Sequence, residues 1–386
     1  MRDDHRILDA DRHVIEPVEM WEEYIEPEFR GRTPYLAQSV SAEPPEARTA
    51  RLGVKALLPP APVMMLDGQT VCHELDERTQ VELTWLATER LGLLAMGANA
   101  EAQLAAMDAS GIDVACLYPS FAMHLMGIES LELARASAFA RAYNRWLQDY
   151  CATAPARLRG VGLIALHDPA QALAELGRIV DRGWTAAVVR PTPHQQRTLA
   201  DPAYEPFWTA CEAASVAVGI HDVPHTRSPT AGADRFRSHF ARSVSCHSLE
   251  MMMALLSLID GGVLEHHPAL RVGFFEAGCG WVPYWLWRMD ELYARMAGEV
   301  SEHVRRAPSE YFRRQCFVTL EPGEPGLTEV VRCIGDDNLL FGTDFPHLDQ
   351  HTMVVEEVLA LRASLPETTL RKVLWDNPAR FYGLRE

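Results

Sequence analysis

Carboxylate and imidazole side chains stand at the ends of three predicted β-strands, and their types suit a divalent metal ion. Asp11 and His13 end the segment ILDADRH, His221 follows VAVGI, and Asp344 follows LLFGT. Asp11 and His13 are two residues apart, so on an extended segment both side chains point to the same side. Two carboxylates and two imidazoles are ligands that Zn²⁺, Mn²⁺ or Fe²⁺ accept. We predict one divalent ion at these four residues, with Zn²⁺ as the first choice.

Each of these residues, taken alone, also suits a purely structural role. His221 after an apolar strand suits a buried core histidine, Asp344 in GTDFPH suits a turn before proline, and Asp11 suits a cap on a following turn. The joint pattern at the strand ends favours the metal, because the carboxyl ends of parallel barrel strands meet at one mouth.

Further polar residues near predicted strand ends are candidates for the reaction or for substrate binding. Asp344 would accept a proton from a metal-activated water. Glu276, the last residue of LRVGFFE, either faces the site, as an acid, a base or a metal ligand, or pairs with an arginine at the rim. Arg190 could bind a carboxylate through two parallel hydrogen bonds, and a structural ion pair is the alternative. The predicted substrate-binding residues are Arg190, Glu16, Tyr118 and His347.

Strand-like and helix-like segments alternate along most of the chain, as a parallel barrel requires. Near-continuous apolar strands favour a parallel sheet, and eight of them favour a (β/α)₈ TIM barrel. An open doubly wound sheet is the alternative, weakened by the lack of a GxGxxG turn after the first strand. We predict one α/β domain over residues 1–386, with an inserted cap of little regular structure at 30–98. The predicted strands start at residues 7, 112, 158, 185, 216, 270, 316 and 338; the main predicted helices lie at 101–111, 129–154, 169–183, 203–215, 248–268 and 281–296.

Composition excludes several classes of protein. The formal net charge of −17 over 386 residues argues against nucleic acid as a partner. The eight cysteines form no CxxC pair, which is typical of a reducing compartment. The N-terminus has no apolar signal-peptide core, and the most apolar run is too short to span a bilayer. We therefore expect a cytoplasmic protein that does not enter the membrane.

Longer motifs carry a family resemblance. The segments DADRHVIEP, VGIHDVPH, GGVLEHHPALRVGFFEAGCGWVPYWLWRMD, LLFGTDFPH and DNPARFYGL resemble the amidohydrolase superfamily. The resemblance is to its amidohydrolase-related group, which includes aminocarboxymuconate semialdehyde decarboxylase and γ-resorcylate decarboxylase. It implies a distorted barrel with a mononuclear metal, in which Asp11 replaces the first ligand of an HxH or ExH motif. His221 matches the ligand after strand 5, and Asp344 matches the aspartate after strand 8.

Two departures from the family bear on the chemistry. Glu276 stands where the decarboxylases carry a catalytic histidine, so the imidazole role would pass to His247 or His347, or Glu276 would itself be the acid or base. Arg190, and not the carboxylated lysine of binuclear members, ends strand 4, which favours a mononuclear site.

The resemblance favours a metal-dependent decarboxylase or related C–C lyase acting on a small aromatic or unsaturated carboxylic acid. A metal-dependent hydrolase or hydratase, and a non-catalytic ligand-binding member, are the alternatives. We predict Glu276, His247 and Asp344 as catalytic residues. We also predict a homodimer, because members of this group are commonly dimers and the aromatic helix at 281–296 offers apolar surface.

Overall fold

The computed structural model describes residues 5–38, 43–224, 226–300, 302–347 and 353–384. The strands in these residues are β1 (Leu8–His13), β2 (Tyr35–Ala37), β3 (Val63–Leu66), β4 (Gln69–Thr70), β5 (Val114–Tyr118), β6 (Leu158–Gly160), β7 (Gly162–Leu163), β8 (Ala186–Val189), β9 (Ala217–Ile220), β10 (Val272–Phe274), β11 (Cys316–Leu320) and β12 (Leu339–Phe341).

Helices cover most of the connections between these strands. In the described part of the chain they are α1 (Glu19–Tyr24), α2 (Pro45–Leu52), α3 (Glu77–Glu89), α4 (Leu91–Gly97), α5 (Ala100–Ser110), α6 (Phe121–Met126), α7 (Leu133–Ala152), α8 (Pro169–Asp181), α9 (Glu205–Ala213), α10 (His239–Asp260), α11 (Val263–His266), α12 (Val282–Val300), α13 (Pro308–Gln315), α14 (Leu327–Ile334), α15 (Val354–Ala360), α16 (Glu367–Arg371) and α17 (Asn377–Tyr382).

The parallel barrel predicted from the sequence is confirmed, and its strands form two arcs. One arc has the order β1-β5-β6, and the other runs from β7 through β8, β9, β10 and β11 to β12, with every neighbouring pair parallel. Backbone hydrogen bonds join the arcs at both seams. The Val161 amide donates to Leu117 at one seam, and the Asp344 amide donates to Asp11 at the other.

All eight predicted barrel strands are present, but the one that starts at residue 158 is split. It breaks at Val161 into β6 and β7, between two glycines. A Cβ atom on Gly160 would lie 2.6 Å from the Trp184 ring, and one on Gly162 would lie 2.3 Å from Ile179. The two glycines therefore allow the neighbouring helix and loop to approach the backbone closely at the break.

Local sequence signals explain why the helices form where they do. Asp168 caps α8 by accepting hydrogen bonds from the backbone amides of the first turn, and Pro169 starts the helix. The chain leaves the helix at Gly183, whose φ of +75° suits glycine. The predicted helix at 169–183 is thus confirmed, as are those at 101–111 and 281–296 to within a few residues.

The prediction of little regular structure at 30–98 is wrong. The segment contains the antiparallel sheet β2-β3-β4 and the helices α2, α3 and α4. Several prolines and short apolar runs hid these elements, although Asp76 caps α3 by accepting a hydrogen bond from the Thr79 amide. The helix predicted within 248–268 begins earlier than expected, since α10 starts at His239 and is capped by Ser238. The helices α13 and α14 were not predicted.

The cap at 30–98 packs onto the barrel at both its middle and its end. Leu66 and Val71 belong to the same buried apolar cluster as the barrel strands. At its end, a Cβ atom on Gly97 would lie 2.7 Å from Pro346, in the loop after β12. The organisation as one domain with an inserted cap stays a prediction. None of the helices in the described residues is long and apolar enough to cross a membrane.

Candidate metal centre

The four predicted metal ligands come together at the mouth of the barrel. His13 Nε2 lies 3.2 Å from Asp344 Oδ1 and 3.5 Å from Asp11 Oδ1, and His221 Nε2 lies 3.6 Å from the same Asp11 oxygen. Ligand atoms of Asp11, His13 and His221 all lie within 4.8 Å of one another. All four side chains are buried, so they form one compact cluster of nitrogen and oxygen donors.

A buried network at the seam between β1 and β12 brings Asp11 and Asp344 together. Asp9 accepts hydrogen bonds from the Thr343 amide at 2.9 Å and the Thr343 hydroxyl at 2.5 Å, and it pairs with Arg12. The amides of Thr343 and Asp344 both donate to the Asp11 carbonyl. Asp9 is fully buried, and burial raises the pKa of its carboxyl despite the Arg12 charge. This network fixes the end of β12 against β1.

The donor atoms in this cluster fit a cation. Within the described residues, Asp11 Oδ1, His13 Nε2 and His221 Nε2 are buried and have no hydrogen-bond partner. Buried polar atoms in native proteins are almost always satisfied, and a metal ion is one way to satisfy them. His13 Nδ1 lies 3.0 Å from the Pro119 carbonyl, a contact that orients the other ring nitrogen towards the cluster.

The charges in the cluster hold its groups in the forms that bind a metal. Burial alone would raise the pKa of the Asp11 carboxyl, but the neighbouring His221 and His13 imidazoles lower it below its usual value. Burial and the nearby His347 lower the pKa of His13 to about 3. An ionised carboxylate beside a neutral imidazole is the state that a divalent cation needs.

Glu276 lies at the same cluster, beside His221. Its Oε2 atom is 3.1 Å from His221 Nε2, and its Oε1 atom is 3.9 Å from His247 Nε2. Glu276 and Asp344 both have positive φ, 54° and 49°. Left-handed backbone is uncommon for residues other than glycine and concentrates at functional sites. The prediction that Glu276 faces the site, and not an arginine at the rim, agrees with this placement.

His347 bridges the cluster and the loop after β5. Its Nδ1 atom lies 2.6 Å from Asp344 Oδ1, and its Nε2 atom lies 2.8 Å from the Ser120 hydroxyl oxygen. Ser120 donates its own proton to the Val14 carbonyl, which can only accept. His347 Nε2 must therefore carry the proton that it shares with Ser120.

Three residues predicted to bind substrate have other partners instead. Arg190 forms a buried ion pair with Asp222 at 2.5 Å and also donates to the Thr226 hydroxyl and the Met123 carbonyl. The structural ion pair left open in the sequence analysis is therefore the arrangement present. Protein groups therefore compensate the charge of Arg190 without a bound ligand.

Glu16 and Tyr118 also serve the fold. Glu16 accepts hydrogen bonds from three successive amides at the start of α6, those of Ser120, Phe121 and Ala122. Tyr118 is fully buried beneath the histidines, and its hydroxyl hydrogen-bonds Tyr382 at 2.8 Å. Glu16 is thus bonded to backbone amides, and Tyr118 is bonded to a tyrosine hydroxyl.

Sequence reasoning missed several residues around the site. Asp9 carries a signal, since it extends the alternation Asp9, Asp11, His13 along β1. His124 on α6 belongs to no such sequence pattern. It is in contact with Cys72 of the cap, with Sγ 3.5 Å from Nδ1, and burial and Arg190 lower its pKa to about 4. A contact between the cap and α6 cannot be found from spacing along the chain.

Comparison with known proteins identifies the family. The sequence model of the amidohydrolase family matches residues 91–384, which is more than half of the chain. The protein belongs to the amidohydrolase family, and the barrel is the architecture that the resemblance implied.

Curated and solved relatives agree with the family. The chain is 25% identical over 292 residues to γ-resorcylate decarboxylase of Polaromonas sp., covering 72% of this chain and 85% of that protein. A solved amidohydrolase from Mycobacterium avium subsp. paratuberculosis has a TM-score of 0.75 at 21% identity, covering 98% of this chain and all of the other. The 5-carboxyvanillate decarboxylase of Novosphingobium aromaticivorans, solved with manganese and 4-hydroxy-3-methoxy-5-nitrobenzoic acid, has a TM-score of 0.69 at 20% identity, covering 99% and 97%. At these identities the solved structures support the fold.

Proposed function

We propose that this protein is a metal-dependent decarboxylase of a small aromatic carboxylic acid. The observation that carries the proposal is the convergence of Asp11, His13, His221 and Asp344 at one barrel mouth. The buried atoms Asp11 Oδ1, His13 Nε2 and His221 Nε2 have no hydrogen-bond partner among the described residues. The curated relative from Polaromonas sp. is a decarboxylase of an aromatic acid, which favours this chemistry over hydrolysis.

One divalent ion held by these residues would bind the substrate carboxylate and stabilise negative charge that develops on its oxygens. Zn²⁺ suits four protein ligands, and Mn²⁺ is the ion in the solved 5-carboxyvanillate decarboxylase. The substrate carboxylate would find its main positive charge at this ion, since Arg190 is already paired with Asp222.

The Asp344–His347 pair supplies the proton in this proposal. Its 2.6 Å contact can hold a proton between Asp344 Oδ1 and His347 Nδ1, next to the open side of the cluster. The ring carbon that bears the carboxylate takes this proton. The bond to the carboxylate then breaks, its electron pair restores the aromatic ring, and CO₂ leaves. Ser120 holds the far side of the His347 ring in place.

A decarboxylation assay tests the proposal directly. The metal-free protein is reconstituted with Mn²⁺ or Zn²⁺ and given a panel of hydroxylated benzoic acids that includes γ-resorcylate and 5-carboxyvanillate. We expect CO₂ release that depends on the metal. Hydrolysis of esters or amides without CO₂ release would favour the hydrolase, and metal binding without turnover on any substrate would favour the non-catalytic member.

The His347→Gln variant tests the proton donor. We expect turnover to fall about 100-fold, at the low end of general acid catalysis, while metal content stays unchanged. The glutamine amide can still bond Ser120 but cannot exchange a proton. Turnover at the wild-type level would remove His347 from the proton transfer.

We also infer a cytoplasmic location, because all eight cysteines are free. We further infer that the protein is a homodimer. Trp281, directly before α12, is buried, whereas Tyr284 and Trp287 on α12 are each 57% exposed and their rings lie 5.8 Å apart. This exposed pair is the apolar surface that a second copy would cover. A dimeric mass by light scattering, reduced to a monomeric one in Trp287→Glu, is the expected result.

A further inference from the structure

Glu276 stands where the decarboxylases resembled by this chain carry a catalytic histidine, and the structure suggests a different use for it. We propose that Glu276 is a fifth protein ligand of the metal ion, and that the resulting set favours Mn²⁺ over Zn²⁺. The inference rests on the proposed function in one respect, namely that the site holds a metal. It replaces the acid–base role that the sequence favoured for this residue.

The spacing of donor atoms carries the argument. Two ligand atoms that share an ion at about 2.1 Å lie about 3.0 Å apart at right angles and about 3.4 Å apart at tetrahedral angles. Glu276 Oε2 lies 3.1 Å from His221 Nε2, and the ligand pair His13 Nε2 and Asp344 Oδ1 has the similar separation of 3.2 Å. Ligand atoms of Glu276, His13 and Asp344 also lie within 4.8 Å of one another. Glu276 Oε2 therefore has the spacing of a ligand relative to His221, and Glu276 shares a group of neighbouring donor atoms with His13 and Asp344.

A second observation points to a cation at this place. His221 Nε2 and His13 Nε2 belong to side chains that are fully buried, and neither atom has a hydrogen-bond partner in the described residues. His221 Nε2 lies 3.1 Å from the Glu276 carboxylate, and His13 Nε2 lies 3.2 Å from the Asp344 carboxylate. An ion between them would satisfy imidazoles and carboxylates together, which a proton on Glu276 alone would not do.

The backbone is arranged to hold Glu276 in this position. Its φ of 54° is costly for a glutamate and persists only where the surroundings fix it. Its amide donates to the Thr319 hydroxyl at 3.2 Å. The loop that follows is held by Glu324, which accepts hydrogen bonds from the amides of Cys279 and Gly280. This support gives the carboxylate a fixed direction, as a ligand requires.

His247 is the positioning residue for Glu276. It lies on α10, and its Nε2 atom is 3.9 Å from Glu276 Oε1, the oxygen farther from His221. A carboxylate that binds a metal through one oxygen is commonly held through the other by a neighbouring group. His247 is the group beside that oxygen, at a distance longer than a direct hydrogen bond.

The enlarged ligand set decides between metals. Three carboxylates and two imidazoles give five protein ligands, one more than tetrahedral Zn²⁺ takes. An oxygen-rich set with room for six ligands suits Mn²⁺, and the sixth position remains for the substrate. The prediction of Zn²⁺ from the sequence rested on four ligands, with a ligand role for Glu276 as an open alternative.

Metal titration of the folded, metal-free protein tests the inference without an activity assay. Mn²⁺ binding is followed by loss of the electron paramagnetic resonance signal of the free ion, and bound metal is counted by elemental analysis. We expect Glu276→Gln to weaken Mn²⁺ binding at least about ten-fold and Zn²⁺ binding less, because four ligands remain. The matched control is Glu250→Gln, a buried carboxylate on α10 that accepts from Thr192 and Ala231. It should bind Mn²⁺ as the wild type does.

Glu276→Asp separates coordination from simple charge. It keeps the negative charge but withdraws the oxygens, so a true ligand should lose most of its contribution, whereas a charge acting at a distance should not. Wild-type Mn²⁺ affinity in Glu276→Gln or in Glu276→Asp would overturn the inference and leave the proposed function standing. A wild-type protein that binds neither ion would instead overturn the proposed function. Circular dichroism of each metal-free variant checks that the barrel is folded.

Discussion

The two sides of the barrel mouth carry similar polar residues but use them differently. At the carboxyl ends of β1, β9, β10 and β12, the side chains of Asp11, His221, Glu276 and Asp344 lie close together. At the carboxyl ends of β5 and β8, Tyr118 and Arg190 are bonded to other parts of the protein. A strand-end position is therefore common to both sides and does not by itself make a site.

The neighbouring segments account for the difference. Arg190 meets Asp222 and Thr226, which come from the segment after β9, and so its charge is compensated internally. His221 precedes Asp222 by one residue, yet its Nε2 atom meets only the carboxylates of the cluster and has no hydrogen-bond partner in the described residues. Two adjacent residues thus serve opposite purposes, because consecutive side chains of an extended segment point in opposite directions.

Removing a ligand should have the largest effect on this comparison. His221→Ala should lose most of the bound metal and at least about 1,000-fold of its activity, while the barrel stays folded. Elemental analysis, circular dichroism and the CO₂ assay measure the three quantities. The control is His266→Ala, an exposed histidine on α11. Full metal occupancy in His221→Ala would show that the two sides of the mouth do not differ as described.

Breaking the ion pair on the other side should affect stability and not substrate binding. Arg190→Met leaves Asp222 buried without its partner, which should cost about 3–5 kcal/mol of unfolding free energy. The KM for the substrate should change less than about three-fold, since the guanidinium is already paired with Asp222. Denaturant unfolding and steady-state kinetics provide the two measurements.

An exposed ion pair provides the control for Arg190. Arg32 and Glu132 lie 2.9 Å apart with side chains about half exposed, so Arg32→Met should cost less than about 1 kcal/mol. A large rise in KM for Arg190→Met with unchanged stability would restore the substrate-binding role that the sequence left open.

The barrel and the proximity of the four candidate ligands could be predicted from the sequence because both depend on local patterns. Apolar runs such as VAVGI mark strands that are buried on both faces, and the polar residue after each run marks the mouth. Asp11, His13, His221 and Asp344 follow from these two facts alone. The break in the strand after residue 158 was harder to see, because it depends on how Trp184 and Ile179 pack against the two glycines.

The partners of each polar side chain could not be predicted, because they come from distant segments. Glu16 accepts from amides that are 104 to 106 residues away, and Arg190 pairs with Asp222 across two strands. The cap at 30–98 was missed for a related reason. Its elements are short, and contacts such as Cys72 with His124 tie them to the barrel. The spacing of residues along the chain does not show which distant segments come into contact in the fold.

A carboxylate on the internally bonded side should make stability depend on pH. Burial raises the pKa of Glu16 from 4.5 to about 7, although three amides donate to it. The folded state therefore holds the proton more tightly than the unfolded state does, and unfolding free energy falls as pH rises from 4.5 to 7. The shift corresponds to about 3 kcal/mol. Glu16→Gln should remove this part of the slope.

Unfolding free energies at about pH 5 and about pH 8 measure the effect of Glu16. Glu250 has a pKa that burial and Asp222 raise to about 7, so wild type and Glu16→Gln share that part of the slope. The difference between the two slopes belongs to Glu16. Equal slopes would mean that Glu16 is ionised in both states throughout this range.

The smallest effect is expected at Tyr118, directly beneath the cluster. The Ala10 carbonyl can only accept, so Tyr382 donates to it and must accept the proton of the Tyr118 hydroxyl. Tyr118→Phe removes the first donor of this chain and leaves the Tyr382 bond to Ala10 intact, which should cost about 1 kcal/mol. Tyr382→Phe should cost more, because it leaves the buried Ala10 carbonyl and the Tyr118 hydroxyl without that partner. Turnover and KM of Tyr118→Phe should stay within about three-fold of wild type, since its hydroxyl is buried and already bonded to Tyr382. A KM raised ten-fold or more at unchanged stability would place Tyr118 among the substrate-binding residues and remove it from the internally bonded side of the mouth.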